Sequence, residues 1–226
     1  MSFGLRLAIR TLFAPLSGAA LLLLPAGSLS YWQGVSFITL FTLFTVITTA
    51  YLYVHDAELL QRRMSLRERQ PQQTLFKVLW LPLWIADFFI AGFDYRFGWS
   101  GKYLAAVPLW LTVIAQLLNV CAYAIIFEVF RFNTFAASTI RVEEGQRVIS
   151  TGPYRMVRHP MYSGISLLIL SAPLALGSFV AAPFFLPLIL LLAYRLTHEE
   201  ALLRRDLAGY DAYCLRTPFR LVPHVY

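Results

Sequence analysis

The stretch PMYSGISLLILSAPLALGSFVAAPFFLPLILLLAYRL, residues 160–196, decides the fold of this chain. It holds two apolar runs, Pro160–Leu176 and Phe179–Leu196, with only Gly177 and Ser178 between them. Runs of this kind cross a bilayer as helices, at roughly 20 apolar residues per crossing. A two-residue turn forces the pair to run antiparallel, side by side. The first run is short and carries Pro173, so it only just spans.

Working outward, the same character recurs upstream. Further spans are expected at 12–28, 34–54, 74–93 and Leu104–Phe130, making six transmembrane helices. The 226 residues are 58% hydrophobic and 14% charged, where soluble domains average about 45–50% apolar and about 25% charged. The fold class is therefore an all-α polytopic membrane protein, read as one domain. Residues 1–130 are its N-terminal membrane helices, and residues 131–226 carry the chemistry. Arg6 and Arg10 ahead of the first span imitate a signal peptide, but the second span begins too soon for an exported domain to follow. Two polar segments, HDAELLQRRMSLRERQ (55–70) and THEEALLRRDLAGYDAY (197–213), read as amphipathic helices on the membrane surface. In the second, Glu200 and Arg204 have i,i+4 spacing.

The net charge of +7 reports orientation rather than nucleic-acid binding. With the N-terminus in the cytoplasm, 17 of the 19 Lys and Arg fall on the cytoplasmic side, and only Arg96 and Lys102 on the other. Both termini are expected in the cytoplasm, in the plasma or inner membrane if the source is prokaryotic. Cys121 and Cys214 sit in different environments and make neither a disulfide framework nor a zinc site. His55, Asp56 and Glu58 suit a helix cap better than a metal, and no metal is expected. Asp87 and Glu128 lie inside apolar spans, where acids are expensive. Glu128 is within reach of Arg131, and Asp94 and Arg96 are expected at the interface.

The chemistry concentrates where the hairpin meets the cytoplasmic face. Pro160 suits a first helical turn, and the open N–H groups there favour an anion. Arg158 and His159 add donors, with Tyr154 and Tyr162 flanking. The plainer alternative is a basic flank that anchors to lipid headgroups. Arg195, Glu199 and Glu200 close the second helix, where the plainer alternative is a salt-bridged surface helix. The hairpin brings the two ends together, giving anion and cation sites at one depth. S-adenosylmethionine, with its carboxylate, ammonium and sulfonium, fits such a site. The Gly-rich fingerprint of a Rossmann domain is missing, so a nucleotide-like cofactor has to bind on the helices themselves.

The run from Asn133 to Pro223 resembles the C-terminal half of the isoprenylcysteine carboxyl methyltransferase family, which includes phospholipid methyltransferase-like proteins. The resemblance rests on Asn133 and Phe135, on EEGQRVISTGPYRMVRHPMYSG (143–164), and on R-x-x-x-E-E at Arg195, Glu199 and Glu200. Tyr210, Tyr213, Arg220 and Pro223 continue it, and ELLQRR at Glu58–Arg63 is the best upstream piece. It implies an integral membrane enzyme using S-adenosylmethionine. Tyr154, Arg158, His159, Pro160, Tyr162 and Gly164 would line the cofactor pocket, with Glu199 or Glu200 completing it. Arg195 would face the methyl acceptor and Asn133 the mouth of the pocket. The acceptor implied is a lipophilic molecule from the bilayer, foremost an isoprenylcysteine-like carboxylate. Sterol reductases that use NADPH share an RHP-x-Y-x-G-like motif and are the rival. EEALLRRDLAGYDAY (199–213) fits the methyltransferase pattern better than the Lys-Tyr-Gly-like run of the reductases.

Overall fold

The computed structural model describes residues 3–64, 71–136, 142 and 145–225 of the chain, and the described residues are helical wherever they are regular. Among the described residues, four helices are long and apolar enough to cross a membrane. They are α1 (Phe3–Ala26), α2 (Trp32–His55), α4 (Pro71–Phe97) and α6 (Leu109–Phe132). The fifth expected span is α7, Pro160–Ala175, an apolar helix of 16 residues. The sixth is the first part of α8, Ala182–Asp206. Between them come α3 (Ala57–Met64) and α5 (Trp99–Tyr103), and α9 (Tyr210–Arg216) closes the chain. Six residues, Leu176–Ala181, separate α7 from α8, where the sequence suggests a two-residue turn and a helix from Phe179. Among them Gly177 adopts φ +71°, which glycine takes without strain.

Several boundaries differ from the sequence reading. The expected fourth span begins at Leu104, whereas α6 starts at Leu109 behind an extended Pro108. The surface helix expected over 55–70 is observed as α3, capped by Asp56 Oδ1 accepting from Leu59 N at 2.8 Å. Its remainder, 65–70, lies outside the described residues, as do Arg67, Arg69, Arg141, Glu143 and Glu144. The surface helix expected over 197–213 is instead two pieces. α8 runs unbroken through Arg195 to Asp206, and Gly209, at φ +83°, turns the chain into α9. Arg204 therefore pairs with Asp211 of α9 at 2.7 Å and not with Glu200.

α7 packs between α6 and α8, while α4 joins α8 to the α1–α2 pair. Close approach depends on small residues, as is usual between membrane helices. A Cβ on Gly164 would lie 2.7 Å from Ile126 Cγ1 and 3.0 Å from Ala122 O. A Cβ on Gly92 would lie 2.5 Å from the backbone oxygen of Leu22. Buried amides then act as ties. Gln116 Nε2 donates to Ala175 O (2.9 Å), Ser36 Oγ (3.0 Å) and Gln33 O (3.2 Å), joining α6 to α7 and α2.

At the end of the bundle away from most arginines, Asp94 is 3% exposed and enclosed by protein. Its Oδ1 accepts from Ser100 N at 2.7 Å, and its Oδ2 from the hydroxyls of Ser100 and Ser178. Ser100 Oγ in turn accepts from Phe179 N at 3.0 Å. The knot ties α4 and α5 to the α7–α8 turn. Glu128 and Arg131 pair at 2.7 Å, as their spacing suggests.

Candidate functional site

The opposite end holds a cavity of about 390 Å³, within the ordinary size range of small-molecule sites. Its walls come from elements far apart in sequence: α3, the start of α4, the segment after α6, the 3₁₀ turn Gly152–Arg155, α7, α8 and α9. Eight of the ten residues assigned to the site from sequence line it: Asn133, Tyr154, Arg158, His159, Pro160, Tyr162, Arg195 and Glu199; Phe135, Tyr210 and Tyr213 of the family-like motifs line it too. Gly164 and Glu200 are not in its wall. Gly164 serves the α6–α7 contact, and Glu200 lies behind the wall, 3% exposed.

The two adjacent glutamates have different surroundings because neighbouring helical residues point about 100° apart. Glu199 accepts a hydrogen bond from the Tyr162 hydroxyl, and that hydroxyl accepts from Arg195 Nε at 3.0 Å. The guanidinium of Arg195 stands 4.7 Å from the centre of the Phe76 ring. Arg195, Tyr162 and Glu199 therefore form one hydrogen-bonded chain along the cavity wall.

Glu200 forms a second cluster. Its Oε1 lies 2.6 Å from Arg158 Nε and 3.9 Å from His159 Nε2, and its Oε2 accepts from Arg220 Nε at 2.8 Å. Burial alone would raise its pKa; contact with His159 and the charges of Arg158, His159 and Arg220 overcome this and hold it at about 2. Glu200 stands beyond the apolar 179–196 segment and is a carboxylate at any physiological pH. Arg158 also donates through Nη1 to Thr217 O (3.0 Å) and Pro218 O (2.7 Å). The backbone N–H groups of Arg158 and His159 donate to Phe219 O (2.9 Å) and Arg220 O (3.0 Å). The chain after α9 thus takes up much of the donor capacity that the sequence reading assigned to an incoming anion.

Tyrosines fix the remaining wall. Asn133 Nδ2 donates to Tyr154 Oη at 2.7 Å, and Tyr213 Oη donates to Tyr154 O at 2.8 Å. Tyr210 Oη lies 3.4 Å from His159 Nε2. Burial pushes the pKa values of Tyr154, Tyr210 and Tyr213 upward, so each stays a neutral donor.

Several lining residues went unread in the sequence. Arg63 of α3 donates to Ala136 O at 2.9 Å and stacks 4.3 Å from the Phe130 ring centre. Burial lowers its pKa to about 10, which leaves it charged at neutral pH. Phe76, Trp80 and Leu192 supply an apolar side. Only ELLQRR at Glu58–Arg63 hinted at α3; Trp80 looked like any aromatic in a membrane span.

Residues 107–205 match the isoprenylcysteine carboxyl methyltransferase (ICMT) family. The match takes in the motifs from Asn133 to Glu200 on which the resemblance rests, and runs from the residue before Pro108 through most of α8. Tyr210, Tyr213 and Arg220 lie beyond it. A stretch of the chain is also similar to the Delta(14)-sterol reductase TM7SF2 of Mus musculus, 32% identical over 93 residues. That alignment takes in 39% of this chain and only 22% of the reductase. The ICMT match supports a membrane methyltransferase, and helices of membrane-spanning length agree with it.

Proposed function

We propose that the protein is a membrane-embedded methyltransferase that uses S-adenosylmethionine and methylates a lipophilic acceptor, foremost an isoprenylcysteine-like carboxylate. The observation that carries this reading is the convergence of the ICMT-matched hairpin on one cavity, with the His159 edge and the Arg195–Tyr162–Glu199 chain facing the same space. The residues suit such a cofactor. Glu199 offers carboxylate oxygens to an ammonium or to ribose hydroxyls; the His159 ring edges the same space; Tyr154 and Asn133 give neutral polar contacts. When bound, the cofactor supplies a methyl group on a positively charged sulfur.

What the chain contributes is placement. A carboxylate acceptor has a reference pKa near about 4 and is already ionised at neutral pH, so it needs no base. Arg195 would hold that carboxylate, its own position fixed by Tyr162 and by the Phe76 ring. Phe76, Trp80 and Leu192 would receive the apolar tail and keep water away. Well-oriented reactants gain roughly 7–11 kcal/mol from proximity alone, enough to make positioning the main catalytic term. An amine acceptor would need a proton removed, and Glu199 would be its base.

The similarity to a sterol reductase favours one other reading, an NADPH-dependent membrane reductase. Titrating the detergent-purified protein with S-adenosylmethionine and, separately, with NADPH divides the two. Saturable binding of S-adenosylmethionine is expected, weakened at least tenfold by Glu199→Gln. Saturable NADPH binding with no S-adenosylmethionine binding would overturn the proposal.

A further inference from the structure

We infer that Glu200 is a positioning residue whose partner is the chain's own C-terminal segment, and that residues 217–221 form a strap holding the Arg158–His159 corner in shape. This deepens the cofactor-site reading above and rests on it for its ligand. The family match ends before the strap begins.

The strap does not lie against the corner by apolar packing alone; it is bonded to it at successive residues. Arg158 Nη1 donates to the carbonyls of Thr217 and Pro218. The backbone of Arg158 and His159 donates to Phe219 and Arg220. Ser163 Oγ, one turn into α7, donates to Leu221 O at 2.6 Å. Arg220 then reaches back to Glu200 Oε2, while Arg158 meets Oε1 of the same carboxylate. One buried carboxylate thus bridges two guanidinium groups, one on each side of the junction. Arg158 and Glu200 side chains are 7% and 4% exposed, and Arg220 is 34% exposed. A buried pair that loses one member leaves an uncompensated charge, so Glu200 and the strap depend on each other.

The consequence is a division of labour between adjacent acids. Glu199, in the cavity wall, meets the ligand. Glu200, behind the wall, sets the His159 ring and the first turn of α7. A Glu200 variant therefore weakens ligand binding through the strap, and the strap's own mobility reveals it.

The test follows two signals in the full-length protein in detergent. One is tryptic cleavage at the Arg220–Leu221 bond, which the strap protects. The other is S-adenosylmethionine affinity by calorimetry. Glu200→Gln is expected to speed cleavage at least tenfold and to weaken binding at least tenfold. Glu199→Gln is expected to weaken binding and leave cleavage within twofold of wild type. Arg220→Gln removes one of the two guanidinium contacts that Glu200→Gln weakens, so it is expected to weaken binding too, with the double variant no worse than Glu200→Gln alone. Arg220→Lys keeps a point charge and is expected to restore much of the affinity. A Glu200→Gln protein that loses binding with cleavage unchanged would overturn the inference, and so would additive losses in the double variant. If Glu200→Gln fails to fold, the Arg220 pair decides alone: loss in Arg220→Gln without recovery in Arg220→Lys overturns it. If the wild type binds no S-adenosylmethionine, the cofactor reading fails, while the cleavage signal still judges the strap.

Discussion

At one end of the bundle Asp94 is buried among neutral donors, one backbone N–H and two hydroxyls. At the other end Glu200 is buried between two guanidinium groups and an imidazole. Both carboxylates tie a chain turn to helix ends, and each is 3% exposed. The difference lies in what stands beside them. Asp94 secures the turn that begins the hairpin's return, and its donors belong to α5 and to that turn. Glu200 stands behind a cavity wall, and two of its partners, Arg158 and His159, belong to that wall, while Arg220 holds it from the strap. Neutral donors suffice where the task is to close a turn; charged donors appear where the tie also shapes a polar site.

The largest expected effect is at the charged end. Glu200→Ala should destabilise the protein by about 3–5 kcal/mol, the usual result of breaking a buried ion pair from one side. Denaturation in detergent checks this, and a loss below about 1 kcal/mol would put Glu200 on a par with a surface charge. Acid offers a second approach. The folded-state pKa of about 2 lies below the ordinary 4.5. Glu200 therefore stabilises the fold fully above the ordinary value, and the contribution disappears as pH falls from about 4.5 through about 2. Melting temperature should drop more for wild type than for Glu200→Gln between pH 6 and pH 3 (assay values, roughly spanning that window). Equal drops would break the contrast with Asp94.

The far end should respond more mildly and without touching the site. Asp94→Asn turns one acceptor atom into a donor facing two hydroxyls, at a cost of about 1–3 kcal/mol. Ligand affinity is expected to stay within about twofold of wild type, since the cavity is at the other end of the bundle; a tenfold loss would show that the two ends are coupled. The smallest effect belongs to Arg204→Ala. Its pair with Asp211 has side chains 45% and 69% exposed, and such pairs contribute about 0–1 kcal/mol. Thermal unfolding should scarcely change.

Much of this contrast could be read from the chain, and the remainder has physical reasons for being hidden. The membrane helices announce themselves because twenty apolar residues have few soluble uses. Gly177–Ser178 made the antiparallel pair a geometric necessity, and with it the approach of Arg158 and His159 to Arg195 and Glu199. The strap was hidden because carbonyl oxygens accept its bonds, and every residue has one; only Arg220 marks it. The enclosure of Asp94 was hidden because sequence shows an acid near a span's end, not the serines 6 and 84 residues further along that surround it. The split between Glu199 and Glu200 depends on the rotation of α8, which only its packing against α7 and α4 determines.

The shortness of α7 has a consequence for where the reaction would happen. Sixteen residues rise about 24 Å at roughly 1.5 Å each, less than the roughly 30 Å of a hydrocarbon core. α7 therefore covers the core only together with the chain at its two ends, the 176–181 turn on one side and the Gly152–His159 segment on the other. The cavity then sits where the apolar span gives way to polar chain. A lipid tail would reach the Phe76 and Trp80 side along the leaflet, while a polar ligand would come from the water side.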